Sequence, residues 1–155
     1  MSNYFKACQM GLITEDVLNQ IKNDMWNEWE QQSKEVKGYI VYMLYRKRGK
    51  SKKLVYIGKT KNLVQRIQQH KDEGKKNFNH VEYVKFNSES EQGFGEIYLI
   101  NKYKPEYNKG DKWKGDLPFI IDLYENLKWK EYYDYTIEQY REIWITNHIF
   151  NEESN

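Results

Sequence analysis

Six cations crowd into the eight residues from Arg46 to Lys53, RKRGKSKK. A cluster of that density binds polyanions, above all phosphates, through charge and hydrogen bonds that no neutral surface supplies. A second pair of interest is Arg66 and His70, four residues apart in KNLVQRIQQHK, which puts a guanidinium and an imidazole one turn apart on a helix face. Taken alone, these residues and the tyrosines Tyr42 and Tyr56 have ordinary explanations: a solvated helix face and cross-strand packing. Glu96, at the start of a helical pattern, would ordinarily complement the helix dipole.

The charge distribution gives the cations weight. The 155-residue chain has a net charge of only +2. Residues 38 to 114 nevertheless hold 18 Lys/Arg against 8 Asp/Glu, while residues 1 to 37 hold 4 against 6 and residues 115 to 155 hold 3 against 9. A central block at +10 between acidic ends is the footprint expected of a polyanion-binding surface.

The elements that must position these residues can be read from periodicity. Thr14 caps an amphipathic helix over 14 to 33, with Val17, Leu18, Ile21, Met25 and Trp29 near a 3.6 period. After Gly38, the runs Tyr39 to Tyr45 and Leu54 to Ile57 are β-branched and aromatic, and they predict a hairpin that turns at Gly49 with its basic tip outermost. Lys61 to Lys71 reads as a helix and Val81 to Phe86 as a half-buried third strand. Glu96 to Tyr103 is another helix, stopped by Pro105. Two more helices are expected in the tail, around Pro118 to Tyr124 and Ile137 to His148. Trp26, Trp29 and Trp144 fall at core spacing, and Trp113, between two lysines, is a candidate for stacking on a base or a sugar.

In order along residues 38 to 109 stand Ile40-Val41-Tyr42, Tyr56-Ile57-Gly58, Lys59-Thr60-Lys61-Asn62-Leu63, Arg66, Glu96 and Leu99 to Asn108. This series resembles the GIY-YIG nuclease domain. Ile40 replaces the usual glycine of the first signature, and Gly38 is followed by Tyr39. Strand alternation selects Tyr42 over Tyr39, since Ile40, Tyr42 and Leu44 share one face. That choice leaves fourteen residues to Tyr56, a hairpin lengthened at its basic tip, where added length is tolerated.

The resemblance implies a metal-dependent endonuclease that hydrolyses DNA phosphodiester bonds, with RNA left open as a substrate. It implies Tyr42 as general base, helped by a positive charge from Lys59 or His70, and Tyr56 on a phosphate oxygen or the water. Arg66 becomes the fork on the scissile phosphate, and Glu96 the ligand of Mg²⁺, with Mn²⁺ a substitute. His70 reads equally as a proton carrier or as a polar cap, and His80 stands just before the third strand, where some relatives carry a functional residue. Gly58 and Asn108 support the site. Lys50, Lys52, Lys53, Lys59 and Lys61 are expected on the nucleic acid. The rival from another class is a non-cleaving nucleic-acid-binding module on the same fold, and a third reading has the positive field serve an acidic protein.

The expected architecture is α+β: a small, mainly antiparallel sheet of three strands flanked by helices over 38 to 109, with helical extensions at 1 to 37 and 110 to 155. Those extensions complete the core, read sequence or mediate self-association into a homo-oligomer. A single cysteine, Cys8, excludes a disulfide framework or a thiolate metal cage within one chain. The absence of a long apolar run or a leader pattern predicts a cytoplasmic protein without membrane contact.

Overall fold

The β-branched and aromatic residues after Gly38 do form a long hairpin. In the computed structural model, which describes residues 1 to 110 and 127 to 151, strand β1 (Lys37–Arg48) pairs antiparallel with β2 (Ser51–Asn62). The turn is two residues long and Gly49 takes φ +57°, a left-handed value that glycine adopts without a Cβ penalty. Strand β3 (His80–Phe86) pairs antiparallel with the other side of β1. Beyond it lies β4 (Lys130–Tyr132), giving the order β2-β1-β3-β4. The sheet therefore has four strands, not the expected three. A three-residue strand, Lys-Glu-Tyr, is too short to show a periodicity, which is why the sequence pattern passes over it.

Alternation along β1 divides the core into two layers. Ile40, Tyr42 and Leu44 pack with Leu63 and Ile67 of helix α3 (Leu63–Glu73), whereas Val41 and Met43 pack with Leu99 and Ile100 of helix α4 (Glu89–Tyr103). A β-bulge in the hairpin matters for the site. Leu44 is opposite Tyr56 and Tyr45 opposite Leu54, so Val55 is the extra residue, and both Val55 and Tyr56 reach the layer that packs on α3. Helix α4 begins seven residues before Glu96, because Ser88 caps it by accepting from the Glu91 N–H. The helix expected from Glu96 to Tyr103 is therefore longer, and Gly95 lies inside it.

Residues 1–34 and 134–151 form a separate unit of helices α1 (Asn3–Gln9), α2 (Glu15–Glu35) and α5 (Ile137–His148). Its core gathers Ala7, Ile21, Trp144 and Ile145, and the Trp144 indole N–H donates to Asp24 at 2.9 Å. Trp26 and Trp29 depart from expectation: they are 60% and 55% exposed, with ring centroids 5.3 Å apart, and are not core. Their spacing fits an apolar face, but Ile21 and Val17 are the α2 residues that meet the core of this unit. Trp113 and the helix expected around 118 to 124 lie outside the described residues.

Strand β2 is an edge strand, and at Ile57, opposite Met43, its outer N–H and C=O would lack a ladder partner. After α4 the chain returns through Pro105 and a 3₁₀ turn (Glu106–Asn108), and the Asn108 side chain fills that vacancy. Its Oδ1 accepts from Ile57 N at 2.7 Å and its Nδ2 donates to Ile57 O at 2.8 Å. Asn108→Ala strips both partners at once and should destabilise the domain by about 1–3 kcal/mol. A thermal melt reads this as a clear fall in Tm, and an unchanged Tm would show that water satisfies this edge equally well.

Candidate active site

Tyr42 is wholly buried on the α3 side of the sheet, where its hydroxyl is the centre of a small polar cluster. Its Oη lies 2.7 Å from His70 Nε2 and accepts from Arg66 Nε at 3.3 Å. Helical geometry brings both partners there: Arg66 and His70 sit one turn apart on α3, whose apolar residues Leu63 and Ile67 fasten the same face to the sheet. Asn62 caps the helix, accepting from Gln65 N at 3.2 Å, and Gly74 ends it in a left-handed conformation.

Tyr56, half-buried, completes the group. Its ring centroid is 5.2 Å from that of His70 in an edge-on arrangement and 6.0 Å from that of Tyr42. The two tyrosines come this close because Gly58 faces Tyr42 in the strand register with no side chain between them. A Cβ at Gly58 would stand 2.5 Å from Tyr42 Oη and 2.8 Å from Tyr56 Cε1, closer than packed atoms allow. The glycine of the second signature thus serves close approach.

Burial sets the electrostatics. Burial pushes the Tyr42 phenol above its ordinary value, and the adjacent Tyr56 adds to the shift, against a smaller opposing pull from Arg66. Burial also lowers His70, to about 4, helped by the positive charges of Lys76 and Arg66. His70 is therefore neutral at neutral pH, and it does not supply the positive charge expected of it from sequence. It offers Tyr42 a proton acceptor instead. With the Tyr42 O–H donating to Nε2, the remaining proton sits on His70 Nδ1, which is buried and has no hydrogen-bond partner among the described residues. Lys59 is exposed, and alternation places it with Val41 on the α4 side, so the positive charge at Tyr42 comes from Arg66.

Glu96 is buried on α4, one turn after Gln92, whose amide donates to Ile40 O at 2.9 Å and Thr60 O at 3.0 Å and so ties the helix across β1 and β2. Among the described residues no three His, Cys, Asp or Glu side chains gather into a metal cage. A lone carboxylate such as Glu96 could offer a divalent ion one hard oxygen, with water and substrate oxygens completing the shell.

The expected nucleic-acid lysines divide. Lys52 Nζ is 2.5 Å from Glu82 Oε2, and that same oxygen lies 3.0 Å from His80 Nε2, so His80 is buried in a polar cluster away from Tyr42. Lys53 is 3.4 Å from Glu106 and Lys61 3.8 Å from Glu89, both exposed pairs that water screens. Lys50 sits at the hairpin turn. Two contributors carry no signal in the sequence pattern. Lys76 stands 4.7 Å over the Tyr56 ring, and Glu106 pairs with Arg46. Lys76 lies in an irregular segment and Glu106 in a short 3₁₀ turn, where only tertiary structure brings such residues together.

Comparison with known proteins agrees with this geometry. The description "GIY-YIG catalytic domain" matches residues 38–109. UvrABC system protein C of Methanosphaera stadtmanae is 29% identical over 126 residues, covering 74% of this chain and 18% of that protein. Its namesake from Oenococcus oeni is 32% identical over 84 residues, covering 49% of this chain and 14% of that protein. The chain thus spans less than a fifth of the length of these relatives. No solved structure gives a significant match. Residues 38–109, which carry both signatures and nearly all of strands β1, β2 and β3, are thus a GIY-YIG catalytic domain.

Proposed function

We infer that this domain is a metal-dependent endonuclease that hydrolyses DNA phosphodiester bonds, with water as the nucleophile. The observation that carries the reading is the convergence of Tyr42, Tyr56, Arg66 and His70 on one face of the sheet. Arg66 offers its planar fork to the scissile phosphate and stabilises the charge that grows there in the transition state. A tyrosine oxygen receives the proton of the attacking water. In the first assignment this is Tyr42, whose own proton passes to His70 Nε2, so that no free phenolate has to exist in a buried site. A divalent ion on Glu96, Mg²⁺ or in its place Mn²⁺, supplies Lewis-acid stabilisation of the phosphate when bound.

Exposure favours a second assignment within the same function. Tyr42 has no exposed surface, whereas Tyr56 is half-exposed beside Lys76. On this reading Tyr56 meets the water, and Tyr42 holds Arg66 and His70 in place. Two conservative variants separate the assignments. If Tyr42 handles the proton, Tyr42→Phe lowers plasmid cleavage about a hundredfold or more and Tyr56→Phe costs less. The opposite ranking assigns the proton to Tyr56, and near-normal cleavage by both variants contradicts the site.

The metal requirement has its own test. Glu96→Gln keeps size and helix compatibility while removing the charge that attracts a hard cation. The variant should lose cleavage yet bind duplex DNA in EDTA as tightly as wild type, with its melting curve preserved. Wild-type cleavage should stop with EDTA and return with Mg²⁺. Cutting by the variant at the wild-type rate, or cutting that ignores the chelator, would remove Glu96 and the ion from the mechanism.

A further inference from the structure

The outer half of the hairpin holds a cavity of about 300 Å³ walled by Arg46, Arg48, Ser51, Lys52 and Lys53. Its wall has four cations against two carboxylates in ion-pair reach, Glu106 and Glu82, so a positive excess remains. Arg48 is exposed and has no acidic partner among the described residues. Strand alternation decides which way this wall faces. Tyr42, Leu44, Arg46 and Arg48 are every second residue of β1, and the register sets Lys53 opposite Arg46 and Ser51 opposite Arg48. Arg46, Arg48 and Lys53 therefore extend the same face of the hairpin that carries Tyr42 and Tyr56. The segment after α3 bridges the two regions, because Lys76 stands over Tyr56 and the next residue, Asn77, accepts from Arg46 Nε at 3.1 Å.

We propose that Arg46, Arg48 and Lys53 form a second phosphate-binding site, which holds the DNA backbone to one side of the bond that is cut. The inference rests on the nuclease reading and adds the direction in which the strand leaves the active site. At roughly 3.4 Å per residue, Arg46 and Arg48 lie about 14 and 20 Å from Tyr42 along β1. A DNA strand advances about 3.4 Å per nucleotide, so the contacted phosphates lie about four to six nucleotides from the scissile one. Arg48 suits this site because its fork can engage two phosphate oxygens at once, whereas Arg46, held by Glu106 and Asn77, contributes mainly charge. Lys52 also borders the cavity, but it alternates with Lys53 along β2 and its ammonium is paired with Glu82, so it takes no part.

The test is binding of a 30-base-pair duplex in EDTA, which prevents cutting, across a series of salt concentrations. For Arg48→Ala the slope of log K against log salt should fall by about 0.9, and for Arg48→Ala with Lys53→Ala by about 1.8, with melting curves unchanged. Arg48→Lys should restore the slope to near wild type, and Lys52→Ala should leave it alone. A wild-type slope in the double variant, with wild type binding well, overturns this second site and leaves the nuclease reading standing. If wild type fails to bind the duplex even at low salt, the DNA reading itself falls, and this site with it.

Discussion

The hydrogen bond between Tyr42 Oη and His70 Nε2 is the contact around which the domain is arranged. It joins the inner strand of the hairpin, β1, to the helix that follows the hairpin, inside a core where neither group meets water. Each partner makes the other tolerable there. A buried phenol needs an acceptor, and a buried imidazole stays neutral because charging it would leave a cation without solvent. Arg66 stands at the rim of the same cluster, half-buried, so the fixed positive charge is at the boundary between the core and whatever binds.

Much of the surrounding structure maintains that geometry. Gly58 leaves room for the two tyrosine rings, and strand alternation puts Tyr56, opposite Leu44, on the same face as Tyr42. Leu63 and Ile67 seat α3, Asn108 closes the open edge at Ile57, and Gln92 fastens α4 to the backbone of both hairpin strands. These devices are spread from residue 56 to residue 108, yet each bears on the hairpin. A site that depends on a shared proton tolerates displacements of only a few tenths of an ångström.

The hairpin, α3, β3 and the second half of α4 were legible in the sequence because alternation and helical periodicity are properties of neighbouring residues. Choosing Tyr42 by alternation put it on the face that α3 covers, where His70 and Arg66 meet it. What stayed hidden depends on contacts between distant segments. The charge state of His70 follows from burial, which a polar residue on an amphipathic helix does not announce. The pairing of Lys52 with Glu82 and of Arg46 with Glu106 joins residues 30 and 60 positions apart, so a run that reads as six free cations carries fewer. β4 is too short to leave a pattern, and the exposure of Trp26 and Trp29 runs against the usual rule for their type.

The most direct measurement is the titration of His70 by NMR, using ¹⁵N-labelled imidazole in the folded protein. His70 should remain neutral down to about pH 4, with the Nε2 shift of a nitrogen that accepts a hydrogen bond, and Tyr42→Phe should remove that shift. An imidazole that titrates near 6.5, the value of a solvated histidine, would contradict the buried, proton-accepting pair on which this account rests.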